Sequence, residues 1–109
     1  MTQRKSMYDK TNLLCVDDEP EILKSLMRIF RKDFNVVMFE NGADALAEMA
    51  STEFSVIISD MKMPEMDGAT FLAKAKELQP DASRILLTGY AEMESVVDAV
   101  NKGNIYNFV

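Results

Sequence analysis

The stretch "LLCVDDEP" (residues 13–20) decides the fold, because an apolar strand runs there directly into three consecutive acids. Its first four residues are typical of a strand buried within a parallel sheet. Asp17, Asp18 and Glu19 then follow without interruption. The D-x-x-E spacing of Asp18 and Glu21 matches a capping box at the start of a helix, which would explain part of the run. A helix cap needs only one acid, so the cluster also suggests a binding site.

Apolar runs alternate with helical patterns along the rest of the chain. The sequence predicts strands at residues 12–16, 35–39, 54–59, 84–88 and 105–109. It predicts four intervening helices, one at about residues 20–32, one within residues 41–51, one ended by Pro80 and one ended by Gly103. Near-continuous apolar strands separated by helices are typical of a parallel sheet buried on both faces. The predicted fold class is therefore α/β, a flavodoxin-like doubly wound sheet of five strands in the order 2-1-3-4-5.

Length and charge limit the function classes. The chain has 109 residues, which is enough for one domain with one core. Residues 1–11 have no apolar periodicity, so we expect a flexible arm before a domain at residues 12–109. The formal net charge of -6 favours cation binding at an acidic site and disfavours direct nucleic-acid binding by this chain.

Residue types that are rare or missing exclude further chemistry. Cys15 is the only cysteine and lies in an apolar run, so an internal disulfide is excluded and a buried thiol is expected. Without histidine, the chain has neither a Ser-His-Asp triad nor a histidine metal ligand. No signal-peptide pattern opens the chain and no apolar run approaches membrane-spanning length, so we expect a cytoplasmic protein that does not bind membranes.

The predicted topology brings acids from two strands to one crevice. In the order 2-1-3-4-5 the first and third strands are neighbours, and ligands bind beyond their carboxyl ends. The first strand leads into Asp17 and Asp18, and the third leads into Asp60. Clustered carboxylates repel one another, and a divalent cation relieves that repulsion. Oxygen ligands with open water positions suit Mg²⁺, so the sequence predicts a magnesium site here.

A carboxylate in such a crevice can accept a phosphoryl group. Nucleophilic attack by Asp60 would give an aspartyl phosphate, and the cation would offset the charge on the transferring oxygens. Thr88 ends the fourth predicted strand, so its hydroxyl could bind a phosphoryl oxygen. Structural explanations stay open for the residues taken alone: Asp60 as a strand-end turn residue, and Asp67 with Gly68 as a turn and helix start.

Three motifs together resemble a known family. In this order and spacing, "LLCVDDEP", "VIISDMKMPEMDG" and "ILLTGYA" closely resemble the receiver domain of bacterial two-component response regulators over residues 13–109. The resemblance implies that Asp60 is the phosphoacceptor, which takes its phosphoryl group from a phosphohistidine on a sensor histidine kinase or phosphotransfer protein. It implies that Asp18, Asp60 and the backbone carbonyl of Lys62 bind Mg²⁺ directly, while Asp17 acts mainly through water.

The resemblance also implies a conformational switch. Thr88 corresponds to the hydroxyl that moves towards the phosphoryl group, and Phe108 corresponds to the aromatic residue that changes rotamer with it. The surface of the fourth helix and fifth strand would then change and control an output domain or partner. Tyr90, two residues after Thr88, is expected to shield the phosphoryl group from water and so to prolong the phosphorylated state.

The chain departs from the family pattern at its end. The family carries a lysine, usually followed by proline, just past the fifth strand, and then a fifth helix, whereas this chain ends at Val109. We therefore expect a fragment of a longer regulator that lacks the fifth helix and the output domain. The uncovered sheet face would expose apolar surface, which favours a homodimer or a dimer that exchanges elements.

Three alternative functions stay open beside that of a signalling phosphoacceptor, which would not be an enzyme. A Mg²⁺-dependent phosphohydrolase with an aspartyl phosphate would want an acid two residues after the nucleophile, where this chain has Lys62. A nucleotide- or flavin-binding module would want a loop rich in Gly, Ser and Thr after the first strand, where this chain has "DDEPE". A receiver that is never phosphorylated and serves only as a protein-interaction module would keep the fold without the chemistry.

Overall fold

Residues 10–87 and the backbone of residues 107–108 are described by the structure, which is a computed structural model. The strands are β1 (Thr11–Val16), β2 (Phe34–Phe39), β3 (Val56–Asp60), β4 (Ser83–Leu87) and β5 (Asn107–Phe108). The helices in this part of the chain are α1 (Pro20–Phe30), α2 (Gly42–Met49) and α3 (Gly68–Leu78). None of these helices has both the length and the apolar surface needed to cross a lipid bilayer.

The sheet has the predicted flavodoxin-like order, β2-β1-β3-β4-β5. Its strand pairs are parallel, and β1 lies between β2 and β3. Leu14 of β1, for example, pairs with Val37 on one side and with Ile57 on the other. The point at which the strand order reverses therefore lies between β1 and β3, and the predicted fold class is confirmed. The fourth predicted helix lies outside the described residues.

The bounds of several elements differ from the predicted ones by one or two residues. β3 begins at Val56 rather than at residue 54, because the backbone N–H of Phe54 donates to the side chain of Gln79 (2.7 Å) and not to a neighbouring strand. β1 begins at Thr11, so the last residue of the predicted N-terminal arm belongs to the sheet. Residues 1–9 lie outside the described part of the chain, and the arm stays a prediction for them.

Successive residues of the strands pack on opposite faces of the sheet. Leu14 and Val16 of β1 belong to an apolar cluster that the sheet forms with α2 and α3. Leu13 and Cys15 face the other way and pack with α1. Burial, assisted by the nearby charge of Asp17, raises the pKa of the Cys15 thiol to about 12. Cys15 is therefore an unreactive core residue, as its apolar surroundings in the sequence predict.

Side-chain caps fix the starts of two helices. Asn41 Oδ1 accepts a hydrogen bond from the N–H of Asp44 (2.8 Å) at the start of α2. Asp67 Oδ1 accepts one from the N–H of Thr70 (2.8 Å) at the start of α3. Each bond satisfies a backbone donor that the first turn of a helix leaves unpaired. The prediction that Asp67 and Gly68 form a turn and helix start is confirmed.

Helix α1 begins without the capping box that Asp18 and Glu21 suggested. Its cap position is Glu19, whose side chain makes no capping hydrogen bond, and Pro20 is the first helical residue. Proline suits this position because it lacks the N–H group that would otherwise need a partner. Asp18 lies before the cap position, so helix capping does not explain why it is there.

Gln79 joins three elements at the amino edge of the sheet. Its Nε2 donates to the carbonyl oxygens of Met49 (3.1 Å) and Thr52 (2.8 Å), and its Oε1 accepts from the N–H of Phe54 (2.7 Å). Met49 ends α2, Thr52 and Phe54 precede β3, and Gln79 itself follows α3. One partly buried amide thus satisfies three backbone groups and fixes the α2–β3 connection to the end of α3.

We expect Gln79→Ala to lower the free energy of unfolding by about 1–3 kcal/mol, because it leaves three backbone groups without their partner. Urea unfolding followed by circular dichroism measures this change. Asn35→Ala is the matched control, since it removes one exposed hydrogen bond, from Asn35 Nδ2 to Asn12 Oδ1 (2.8 Å), and should change stability by less than about 0.5 kcal/mol. Equal losses in the two variants would contradict this role of Gln79.

Candidate functional site

The carboxyl ends of β1 and β3 meet at one edge of the sheet. Val16, the last residue of β1, pairs with Ser59, which directly precedes the end of β3. Asp17 and Asp18 follow Val16 in the chain, and Asp60 is the last residue of β3. Because the two strands run in parallel, this register sets Asp17 level with Asp60. Acids that are more than forty residues apart in the chain therefore share one crevice.

Asp17 lies deepest in this crevice, with 4% of its surface exposed. Its Oδ1 accepts a hydrogen bond from the N–H of Glu19 (2.9 Å), and its own N–H donates to the carbonyl of Phe39 (3.2 Å). Burial raises the pKa of Asp17 to about 6, although the hydrogen bond from Glu19 opposes the rise. Repulsion from the neighbouring carboxylates adds to it, in the order Asp60, Asp18 and Glu19.

Asp60 is half-buried and feels the same neighbours. Burial raises its pKa above the usual range, and repulsion from Asp18 and Glu19 raises it further. Hydrogen bonds from the backbone N–H groups of Met61 and Lys62 lower it. The ionised form of Asp60 is thus favoured by the backbone that follows it and disfavoured by burial and by the acids after β1.

Three acids after β1 are close enough to hold a cation between them. One carboxylate oxygen each of Asp17, Asp18 and Glu19 lies within 4.8 Å of the other two. Carboxylate oxygens are hard ligands that suit Mg²⁺ or Ca²⁺. The raised pKa values of Asp17 and Asp60 reflect a repulsion that such a cation would relieve, so the residues present fit a divalent ion. Glu19 belongs to this cluster but not to the predicted ligands, whereas Asp60, a predicted ligand, is not part of it.

Backbone hydrogen bonds and apolar packing hold the loop that follows Asp60. The N–H of Met61 donates to the carbonyl of Leu87 in β4 (3.2 Å), and the carbonyl of Met61 accepts from the N–H of Gly68 in α3 (2.8 Å). Met63 is buried in the cluster that the sheet forms with α2 and α3. The loop is therefore tied to the neighbouring strand, to the next helix and to the core.

Three predicted site residues lie beside this crevice or beyond the described residues. The side chain of Lys62 is exposed, and its backbone N–H acts on the carboxylate of Asp60. Thr88 follows β4 directly in the sequence but is not among the residues that the structure describes. The backbone of Phe108 in β5 pairs with Leu86 in β4, while the side chain of Phe108 falls outside the described part. The roles of Thr88 and Phe108 stay predictions.

A family model matches the chain along almost its whole length. The model is that of the response regulator receiver domain, and it covers residues 13–109. The chain belongs to this family. The resemblance that the three sequence motifs indicated is thereby confirmed, and the chain is a receiver domain, which is a signalling module.

A curated relative of this receiver domain is a transcriptional regulator. The hydrogenase transcriptional regulatory protein HoxA of Bradyrhizobium diazoefficiens is 34% identical over 97 residues. The match covers 89% of this chain but only 20% of HoxA. The receiver domain thus spans about a fifth of the length of this relative.

Two solved receiver structures closely match the fold. The signal receiver domain of an HD domain-containing protein from Pseudomonas fluorescens has a TM-score of 0.87 and 31% identity, over 93% of this chain and 82% of that chain. A response regulator protein from Burkholderia pseudomallei has a TM-score of 0.82 and 31% identity, over 91% of this chain and 58% of that one. The latter structure contains a phosphorylated aspartic acid, a calcium ion and citrate.

Without a divalent cation, we expect the receiver domain to lose stability as the pH rises from about 4 to about 7. The pKa of Asp17 is raised from 3.8 to about 6, because it is buried among Asp18, Glu19 and Asp60. A raised pKa contributes stability that is complete below the unfolded value and is lost as the pH rises through the folded value. Asp17→Asn should therefore reduce this pH dependence and raise the free energy of unfolding at neutral pH by about 1–3 kcal/mol.

Urea unfolding in a chelating buffer, repeated across this pH range, measures the effect. Asp33→Asn is the control, because it removes the same charge from an exposed position outside the crevice. The interpretation fails if Asp17→Asn leaves the pH profile unchanged, or if Asp33→Asn flattens it to the same extent.

Proposed function

We propose that this receiver domain accepts a phosphoryl group on Asp60 from a sensor histidine kinase or phosphotransfer protein, in a reaction that depends on Mg²⁺. The observation that carries the proposal is the parallel register of β1 and β3, which sets Asp60 level with the acids that follow Val16. The Burkholderia pseudomallei regulator, with its phosphorylated aspartic acid and calcium ion on a similar fold, supports it.

In the proposed reaction, one carboxylate oxygen of Asp60 attacks phosphorus. The bond between phosphorus and the histidine nitrogen of the donor breaks, and that nitrogen keeps the electron pair. The backbone N–H groups of Met61 and Lys62 lower the pKa of this carboxylate and so favour its ionised form. Burial makes Asp60 more basic than a solvated carboxylate, which favours nucleophilic attack by the ionised form. A bound Mg²⁺ would offset the negative charge that builds up on the transferring oxygens.

The ligand set that we propose for Mg²⁺ consists of Asp18, Asp60 and the backbone carbonyl of Lys62, with Asp17 acting through water. The burial of Asp17 and the hydrogen bond from Glu19 to its Oδ1 support an indirect role, since one of its oxygens is already occupied. Glu19 is exposed and belongs to the same oxygen cluster, so it adds negative charge at the mouth of the crevice.

The proposed output of phosphorylation is a change in the surface formed by the fourth predicted helix and the fifth strand. We propose that Thr88 provides the switch hydroxyl and that Phe108 is the aromatic residue that moves with it. Leu87, which directly precedes Thr88 in the sequence, pairs with Asp60, and this pairing supports the assignment of Thr88. Tyr90 would shield the phosphoryl group from water. The altered surface would control an output domain or a partner protein.

The wider setting that we propose is a cytoplasmic two-component system. The match to about a fifth of HoxA supports a receiver that works with an output domain of a longer regulator. The acidic net charge of -6 argues against direct nucleic-acid binding by the receiver itself. A homodimer, with or without exchanged elements, stays part of the proposal.

We expect incubation with Mg²⁺ and acetyl phosphate to add one phosphoryl group to the chain, because Asp60 is the nucleophile of the crevice. Intact-mass spectrometry detects the product. Asp60→Asn should give no product, whereas Asp33→Asn, with the same loss of charge at an exposed position, should react as the wild type does. Equal labelling of Asp60→Asn and wild type would overturn the assignment, and an unmodified wild type would support an interaction-only receiver.

Mg²⁺ alone should stabilise the fold, because it binds the folded crevice and not the unfolded chain. At a concentration of 100 times its Kd, the free energy of unfolding should rise by about 2.7 kcal/mol. Asp18→Asn should remove most of this gain, and excess chelator should reverse it in the wild type. Urea titrations with and without the ion measure the difference. A gain that survives Asp18→Asn would contradict the proposed ligand set.

A further inference from the structure

Gly68, the first residue of α3, packs directly against the backbone of Asp60. A Cβ atom placed on Gly68 would lie 2.1 Å from the carbonyl oxygen and 3.0 Å from the carbonyl carbon of Asp60. It would also lie 3.0 Å from Cδ1 of Leu86 in β4. Gly68 is buried and its φ is not positive, so the lack of space, and not an unusual backbone conformation, calls for glycine here.

The carbonyl of Asp60 cannot easily move away from such a side chain. It accepts a hydrogen bond from the hydroxyl of Ser59 (2.9 Å), a residue with no exposed surface. Asp60 is also paired with Leu87 across β3 and β4. A side chain at Gly68 would therefore have to displace either the start of α3 or the end of the strand that carries the phosphoacceptor.

The same contact closes the loop between Asp60 and α3. The N–H of Gly68 donates to the carbonyl of Met61 (2.8 Å), and the N–H of Met61 donates to Leu87 (3.2 Å). Asp67 caps the helix one residue earlier and so fixes the position of the α3 start. Met61, which directly follows Asp60, is thus held between β4 and α3 through both its N–H and its carbonyl.

Gly42 occupies the equivalent position at the start of α2 but has different neighbours. A Cβ atom there would lie 2.9 Å from Sδ of Met66 and 3.3 Å from Cβ and Cδ1 of Phe71. The closest of these atoms is the end of a flexible side chain, which can rotate away. The two glycines therefore share a helix position and differ in whether a methyl group would press on a side chain or on the Asp60 backbone.

We propose that Gly68 is a positioning residue for the phosphoacceptor site: the missing side chain lets α3 approach the Asp60 carbonyl and hold the carboxylate where the cation and the phosphoryl group meet it. This inference rests on the proposed function. It assigns to the start of α3 a role in cation affinity that a simple turn would not have.

The test compares Gly68→Ala with Gly42→Ala in the full chain. Calorimetric titration measures the affinity for Mg²⁺, and urea unfolding in chelator measures stability separately. Gly68→Ala should bind Mg²⁺ about tenfold or more weakly, as loss of groups that orient metal ligands commonly does. Its phosphorylation by acetyl phosphate should require correspondingly more Mg²⁺. Gly42→Ala should keep the wild-type affinity, because its nearest neighbour is a flexible side chain and not the Asp60 backbone.

Wild-type affinity in a folded Gly68→Ala would overturn the proposal, as would an equal loss of affinity in Gly42→Ala. These results are distinct from failure of the proposed function. A wild-type chain that accepts no phosphoryl group contradicts the proposed function whatever the variants do. An active wild type together with a Gly68→Ala variant that needs no more Mg²⁺ than the wild type contradicts the positioning role alone.

A second pair of variants serves if Gly68→Ala does not fold, as judged by circular dichroism. Asp67→Ala removes the acceptor of the Thr70 N–H and loosens the start of α3 without adding a side chain at Gly68. Asp67→Asn removes the same charge and keeps a capping oxygen. Asp67→Ala should weaken Mg²⁺ binding and Asp67→Asn should restore it. Equal affinities in this pair would overturn the proposal.

Discussion

Parallel pairing between β1 and β3 is the constraint on which the rest of the structure depends. Four consecutive residues of β1 pair with β3, and the last of these pairs joins Val16 to Ser59. A slip of one residue would exchange the side chains of β1 between the face that packs on α1 and the face that packs on α2 and α3. It would also move Asp17 and Asp18 by one residue along the strand axis, so that Asp17 would no longer lie level with Asp60. One register between β1 and β3 therefore determines both the packing of the core and the position of the acids.

The buried acids of the crevice lower the stability of the fold. Asp17 and Asp60 are both held with raised pKa values, because burial and repulsion disfavour their charged forms. Backbone N–H groups offset part of this cost, from Glu19 to Asp17 and from Met61 and Lys62 to Asp60. In the proposed function, a bound divalent cation would relieve the remaining repulsion, and its binding would therefore be coupled to the stability of the fold.

Much of the fold followed from the sequence, because strands buried on both faces leave unbroken apolar runs. The predicted start of β3 was wrong because the N–H of Phe54 donates to the side chain of Gln79, 25 residues away. No local sequence pattern indicates such a partner. The prediction of a capping box at Asp18 and Glu21 was wrong because α1 begins at Pro20, which makes Glu19 the cap position. Acids that directly follow strands could be placed from topology alone. The approach of Gly68 to Asp60 could not, since it depends on how α3 returns to the sheet.

The position of Gln79 has a consequence for how this domain can vary. Its hydrogen bonds lie at the amino edge of the sheet, whereas the acids lie at the carboxyl edge, a full strand away. Substitutions at distant sites without shared partners generally have additive effects. Robustness and signalling are therefore separable in this molecule. Substitutions at the amino edge of the sheet can change resistance to heat or proteolysis without changing the acidic site at the carboxyl edge.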